Sequence, residues 1–297
     1  MSSKEISNLR NHAVHVSSDL DLIQGSGGNV SYKNGAQIWV KASGMKLSLA
    51  NDEDIFCKLD YKNVTLDELK EKEDFSDCVT GNLRPSIEVN FHILIRFRYV
   101  THLHSLGAIA IGFLKKNALP SELNYFGFNF AKIPYIRPGR ILAKYMIDSD
   151  MLNTKILVLQ NHGVIFSSND LIELENLIHD AESAFRSYVV SLPISDEFPS
   201  WVEILLGGVL TPDEAVFLGR TPFTRSNVAL TDTISISNTS ELLYPKHYSD
   251  EHRNLANFYV RLAKLIEKRT QVSYLSEDEV NEILNWDKEK LRIEMFK

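Results

Sequence analysis

Val100-Thr101-His102-Leu103-His104-Ser105 has the composition of a β-strand and carries two histidines two residues apart. Side chains two apart on a strand point to the same face, so His102 and His104 can chelate one ion together. Imidazole is the commonest side-chain metal ligand, and three protein ligands with an open position mark a catalytic zinc site. His162 offers a third, at the end of the apolar β-rich run Lys155 to Gln160, where Gly163 is expected to let the backbone turn sharply. A His-x-His pair is also what polar alternation on a surface strand produces, and Asn161-His162-Gly163 alone says less.

Outward from this strand the chain alternates strand and helix signals. Pro85-Ser86-Ile87-Glu88 opens a helix to about Phe97, with Phe91, Leu94 and Ile95 facing inward. Glu88 shares a face with His92 one turn later; a carboxylate there also simply complements the helix dipole. Ala108 to Asn117 reads as a helix and Val164 to Phe166 as a strand. Asp170 and Glu173 cap a long helix to about Val190, closed before Pro193. Upstream, a helix over Lys4 to Asp19 leads to Gly25-Ser26-Gly27-Gly28-Asn29, either a tight turn or a nest of N–H groups for an anion. Asn34-Gly35 joins strands at Val30 to Lys33 and Gln37 to Lys41 as a hairpin. Asn51 to Phe75 is polar and mixed, a short strand and a surface loop.

The last third has a different texture. Thr211-Pro212-Asp213-Glu214 and Ser276-Glu277-Asp278-Glu279 are capping boxes, the second before a helix from Val280 to about Met295. Between them Leu255, Phe258, Leu262 and Leu265 fall at helical spacing. Residues 200–297 therefore read as a mostly helical extension packed on an α/β domain of residues 1–199, with no flexible linker.

The 297 residues carry a formal net charge of -7, so no basic field exists to recruit nucleic acid. One small phosphorylated ligand needs only a few local donors. Cys57 and Cys78 have no metal-like spacing and fit a reducing cytoplasm. The N-terminus lacks the apolar segment of a secretory signal, and the longest apolar runs are too short to span a bilayer, so a membrane is not an expected partner.

Taken in order, Gly27-Gly28-Asn29-Val30-Ser31-Tyr32-Lys33, Lys41-Ala42-Ser43-Gly44, Pro85-Ser86-Ile87-Glu88, His102-Leu103-His104 and Asn161-His162-Gly163 resemble the class II aldolase/adducin family. The resemblance runs from about Leu22 to Val190, and in detail is similar to the branch in which rhamnulose-1-phosphate aldolase is fused to a dehydrogenase. Thr211-Pro212-Asp213 also resembles that branch. The resemblance implies a three-layer α/β/α sandwich with a central, mostly antiparallel sheet, followed here by the helical C-terminal extension. It implies zinc, or another divalent first-row ion, on His102, His104 and His162, with Glu88 as acid/base beside it. Asn29, Ser43, Gly44 and Ser86 match positions that hold a substrate phosphate, and Tyr125 matches a tyrosine that enters a neighbouring subunit's site. Ile87 stands where the fuculose-phosphate branch has a second serine; Lys33 and Lys41 are the cations near enough in sequence to compensate. The implied activity is a metal-dependent lyase working on a ketose phosphate or related sugar derivative through a metal-bound enediolate, in a homo-oligomer, usually a tetramer. Epimerase, dehydratase or decarboxylase chemistry at the same site, or an adducin-like scaffold without catalysis, are the alternatives.

Overall fold

Among the described residues, eight strands run through the middle of the protein, with helices between them. The structure, a computed structural model, describes residues 3–114, 127–287 and 289. Helix α1 (Ser3–Ser17) precedes the hairpin β1 (Asn29–Asn34) and β2 (Gln37–Lys41), in which Asn34 pairs with Gln37 around Gly35 at φ 60°. Then come β3 (Phe56–Asp60), α2 (Leu66–Glu71), β4 (Val79–Thr80), α3 (Val89–Leu94), β5 (Tyr99–Leu103) and α4 (Leu106–Phe113). The α/β part closes with β6 (Ala131–Ile133), α5 (Arg140–Asp148), β7 (Ile156–Leu159), β8 (Gly163–Ser168) and α6 (Leu171–Ser191). The sheet order is β4-β3-β2-β1-β5-β8-β7-β6. Every neighbouring pair is antiparallel except β6 with β7.

Strict alternation along the strands makes this a three-layer sandwich. Val30, Tyr32, Trp39, Leu103, Ile156, Val158, Val164 and Phe166 face one buried cluster, shared with α1, α4 and α6. Ile38, Val40, Leu59, Val100, Leu157, Leu159 and Ile165 face the other, shared with α3 and α5. Burying both faces is what a sheet does when helices cover it on two sides.

The extension consists of α7 (Trp201–Leu206), α8 (Pro212–Leu218), α9 (Asp250–Ile266) and α10 (Glu277–Asn285). Its Leu255, Phe258, Leu262 and Ile266 join the same cluster as α4 and α6. Asp21 ties the two parts polarly, accepting from Arg186 at 2.8 Å and Arg261 at 2.7 Å. The extension also holds a small sheet that the sequence reading missed, β9 (Phe223–Arg225), β10 (Ile234–Ile236) and β11 (Leu242–Leu243). Strands of two or three residues are too short to display a period.

Other boundaries differ in instructive ways. Helix α2 lies where only a strand and a loop were expected, opened by a capping box of Thr65 and Glu68. The helix after Glu88 is six residues long, ending at Leu94 rather than near Phe97, and residues 95–98 lead from it into β5. No helix among the described residues is long and apolar enough to cross a membrane. Cys57 and Cys78 are free thiols.

Candidate metal centre and active site

Strand register assembles the site. β1 starts opposite His102, with Asn29 its direct partner, and β8 sets Ile165 beside the same histidine. His104 lies just beyond the end of β5, and His162 in the tight turn between β7 and β8 at the same end of the sheet. The turn is made by Asn161, at φ 56°, rather than by Gly163. Gly163 already pairs with Leu159 in the sheet, and a Cβ on it would sit 2.2 Å from the Leu103 carbonyl oxygen. The glycine is there for close strand approach.

Potential donor atoms of His102, His104 and His162 all lie within 4.8 Å of one another, and all three side chains are buried. His102 Nε2 is 3.1 Å from His104 Nε2. Ligands on a tetrahedral ion with bonds of about 2.0–2.1 Å stand roughly 3.3 Å apart, so this spacing suits one divalent ion. His102 Nδ1 donates to the Val164 carbonyl at 3.0 Å, which leaves the Nε2 lone pair pointing inward. Glu88 straddles the group, Oε2 at 3.5 Å from His102 Nε2 and Oε1 at 3.6 Å from His162 Nε2. Glu88 Oε1 and His162 Nδ1 are buried and have no hydrogen-bond partner among the described residues. Facing imidazole lone pairs with a half-satisfied carboxylate beside them form an environment that a cation would complete.

Charge states agree with that fit. Burial pushes the His102 and His162 imidazoles down, to about 4 and about 3, so both are neutral ligands at neutral pH. Burial by itself would raise the Glu88 carboxyl, but facing His102 and His162 and the Asn29 amide outweigh it and hold it at about 2. Glu88 is therefore a carboxylate.

One hydrogen-bonded chain orients that carboxylate. Asn29 Nδ2 donates to Glu88 Oε2 at 2.7 Å and lies 3.3 Å from Ser86 Oγ. Its Oδ1 faces His92 Nε2, and His92 Nδ1 is 2.7 Å from Ser31 Oγ. The consistent assignment runs Ser31 O–H to His92 Nδ1, His92 Nε2–H to Asn29, and Asn29 N–H to Glu88. Burial keeps His92 well below the usual imidazole range, hence neutral as this direction requires.

Glu88, Asn29, Ser43, Gly44, Ser86, Ile87, His104, His162 and Asp213 line one pocket. Ser43 and Ser86 meet there because Ser43 N–H donates to the Arg84 carbonyl and Ser86 N–H to that of Lys41, so residues 84–86 lie along the end of β2. Lys33 does not compensate for Ile87: its ammonium is buried against the carbonyls of His92 and Ile95, and burial lowers it to about 7. Lys41 does line the pocket, with its ammonium donating to the Ser26 and Met45 carbonyls. Tyr125 lies outside the described residues. Nothing in the sequence hints at the structural role of Asp213, which reads there as part of a helix cap and of the Thr211-Pro212-Asp213 resemblance, or at the link from His92 through Asn29. No local signal marks Asp213, since its partner His104 is more than a hundred residues earlier.

Residues 12–189 match the Class II Aldolase and Adducin N-terminal domain, and the chain belongs to that family. Over 169 residues it is 27% identical to the L-fuculose phosphate aldolase of Methanococcus maripaludis (strain C5 / ATCC BAA-1333), covering 54% of this chain and 82% of that one. It is 28% identical over 169 residues to the uncharacterized oxidoreductase YuxG of Bacillus subtilis (strain 168), covering 50% of this chain but only 24% of that protein. Among solved structures, the N-terminal class II aldolase domain of a conserved protein from Thermoplasma acidophilum superposes with a TM-score of 0.54 at 21% identity, covering 64% of this chain and 95% of that one. That likeness supports the fold of the α/β part.

Proposed function

We propose that the chain is a divalent-metal-dependent lyase that cleaves or forms a carbon–carbon bond in a ketose phosphate or related sugar derivative. The observation that carries this reading is the convergence of three buried imidazoles and one buried carboxylate beside a polar pocket. His102, His104 and His162 would hold the ion, zinc or another first-row metal that imidazole suits. When bound, such an ion supplies Lewis acidity, stabilising negative charge as it develops on substrate oxygens.

The remaining work falls to the protein. Glu88 takes a proton from, or returns it to, the carbon on which charge develops, a role worth roughly 10²–10⁴-fold. Asn29 holds Glu88 Oε2, so that Oε1 is the atom left to act. Asn29, Ser43, Ser86 and the Gly44 backbone line the pocket and would bind the substrate's phosphate beside it, and burial of the site excludes water that would otherwise compete for the proton. By the same reading, residues 1–199 are the catalytic unit with 200–297 packed on it. The assembly is a cytoplasmic homo-oligomer, a tetramer by resemblance, with Tyr125 given to a neighbouring site. Its partner is a small sugar derivative, not a nucleic acid or a membrane.

The test is turnover of chain loaded with Zn²⁺, Mn²⁺ or Co²⁺ on a panel of ketose 1-phosphates and sugar acids. A triose phosphate and an aldehyde are the expected products. Carbon dioxide, a dehydrated product or an epimer instead would move the reaction to another chemistry at the same site. No turnover at full ion occupancy would favour a non-catalytic adducin-like role.

A further inference from the structure

We propose that Asp213, contributed by the C-terminal extension, is a positioning residue that orients His104 as a metal ligand; the inference rests on the metal reading above. Asp213 is 4% exposed and lies outside the residues matched by the family domain, which end at 189. Its Oδ2 is 2.8 Å from His104 Nδ1. His104 Nε2 faces His102 Nε2, so the carboxylate sits behind the ring, on the side away from the three-histidine centre. A carboxylate behind a ligating imidazole fixes its tautomer, orients the ring and makes the inward nitrogen more basic.

Two further features are built around this contact. Gly27 packs directly on it: a Cβ there would lie 2.9 Å from Asp213 Oδ2 and 2.9 Å from His104 Nδ1. Any side chain would press the pair apart, so the Gly-rich turn leaves room for a residue from the extension. The extension is also clamped at the site's other edge. Asn161, immediately before His162, donates through Nδ2 to the Leu210 carbonyl at 2.8 Å and to that of Ser273 at 2.7 Å. Thr211 caps α8 and Pro212 takes its first position, which sets Asp213 in the first turn, aimed at His104. The rival role is that of an ordinary carboxylate complementing the N-terminus of α8. A stability measurement cannot tell the two apart, but ion affinity can.

The experiment measures affinity for Zn²⁺ by chelator competition, and the visible absorption of the Co²⁺-loaded chain, in the parent, Asp213→Asn, Asp213→Ala and Glu214→Gln. Loss of an outer carboxylate partner typically weakens metal binding by roughly 10–100-fold. Both Asp213 variants should weaken by that factor with an altered Co²⁺ spectrum, while Glu214→Gln, on the same helical turn, matches the parent. Should Asp213→Ala fail to fold, the near-isosteric Asp213→Asn decides. Parental affinity and spectrum in Asp213→Asn would overturn the proposal and leave the metal reading standing. Equal weakening in Glu214→Gln would also overturn it, by tracing the effect to movement of α8. A parent chain that binds neither ion would overturn the metal reading, and this inference with it.

Discussion

Replacing Glu214 by Gln should stabilise the protein in alkaline solution and leave it nearly unchanged in acid. Glu214 is fully buried on α8; Oε2 accepts the Leu210 N–H at 2.6 Å, and Oε1 has no hydrogen-bond partner among the described residues. Burial raises its carboxyl from the ordinary 4.5 to about 8, against the smaller lowering effect of the Leu210 and Thr211 backbone. Because the folded state holds this proton more tightly than the unfolded state, the associated stability is fully present below about pH 4.5. It is lost as pH rises through about 8. At about 1.36 kcal/mol per pKa unit, the loss is on the order of 5 kcal/mol, a large part of a typical folding free energy. Gln keeps an acceptor for Leu210 and cannot ionise. The assay is thermal unfolding of parent and variant from pH 5 to pH 9. For a chain of this size about 2 °C accompanies each kcal/mol, so the midpoints should agree within a few degrees at pH 5 and separate by about 10 °C at pH 9. A gap that does not widen with pH would mean that Glu214 is not a buried neutral acid.

His92→Phe keeps an aromatic ring, slightly larger than imidazole, but breaks the chain to Glu88, leaving Ser31 Oγ and Asn29 Oδ1 without that partner. It should cost about 2–4 kcal/mol by thermal unfolding and lower turnover at least tenfold with the ion still bound. Ile87→Ser adds a hydroxyl to the pocket wall and should tighten inorganic phosphate binding up to about tenfold by calorimetry; no gain would give the pocket another purpose. Asn161→Gly keeps the positive φ and loses both bonds to the extension, whereas Asn161→Ala also strains the backbone, by about 1–2 kcal/mol. Limited proteolysis after residue 200 should speed up in both, and more in Asn161→Ala.

Much of the centre was legible because its chemistry is written in short spacings. His102 and His104 stand two apart at the end of β5, and Glu88 four residues before His92; the structure stacks the first pair edge to face and joins the second through Asn29. The order of motifs joined Asn29, Ser43, Ser86 and His162 to them, and strand register explains why: β1 opens opposite His102 and residues 84–86 lie along β2. The Asp213 contact was not legible, since no local period connects α8 to the end of β5. The turn at His162 was assigned to the wrong residue because Gly163 is the usual signal, whereas Asn161 takes the left-handed conformation here. β6 is too short to display a period, whereas α5 does carry a helical signal, with Leu142, Ala143 and Met146 buried on one face behind the Pro138-Gly139 entry, that the sequence reading passes over.

In the proposed chemistry Glu88 moves a proton at a centre held by three histidines. The most direct measurement of that step is turnover per bound ion in Glu88→Gln, on whichever substrate the parent chain converts, with ion content quantified in the same samples. Gln keeps the size of the side chain but cannot serve as a carboxylate base. If Glu88 is that base, the variant keeps near-parental ion occupancy while turnover falls by roughly 10²–10⁴-fold. Full turnover at full occupancy would contradict that role and leave Glu88 a carboxylate that only neighbours the site.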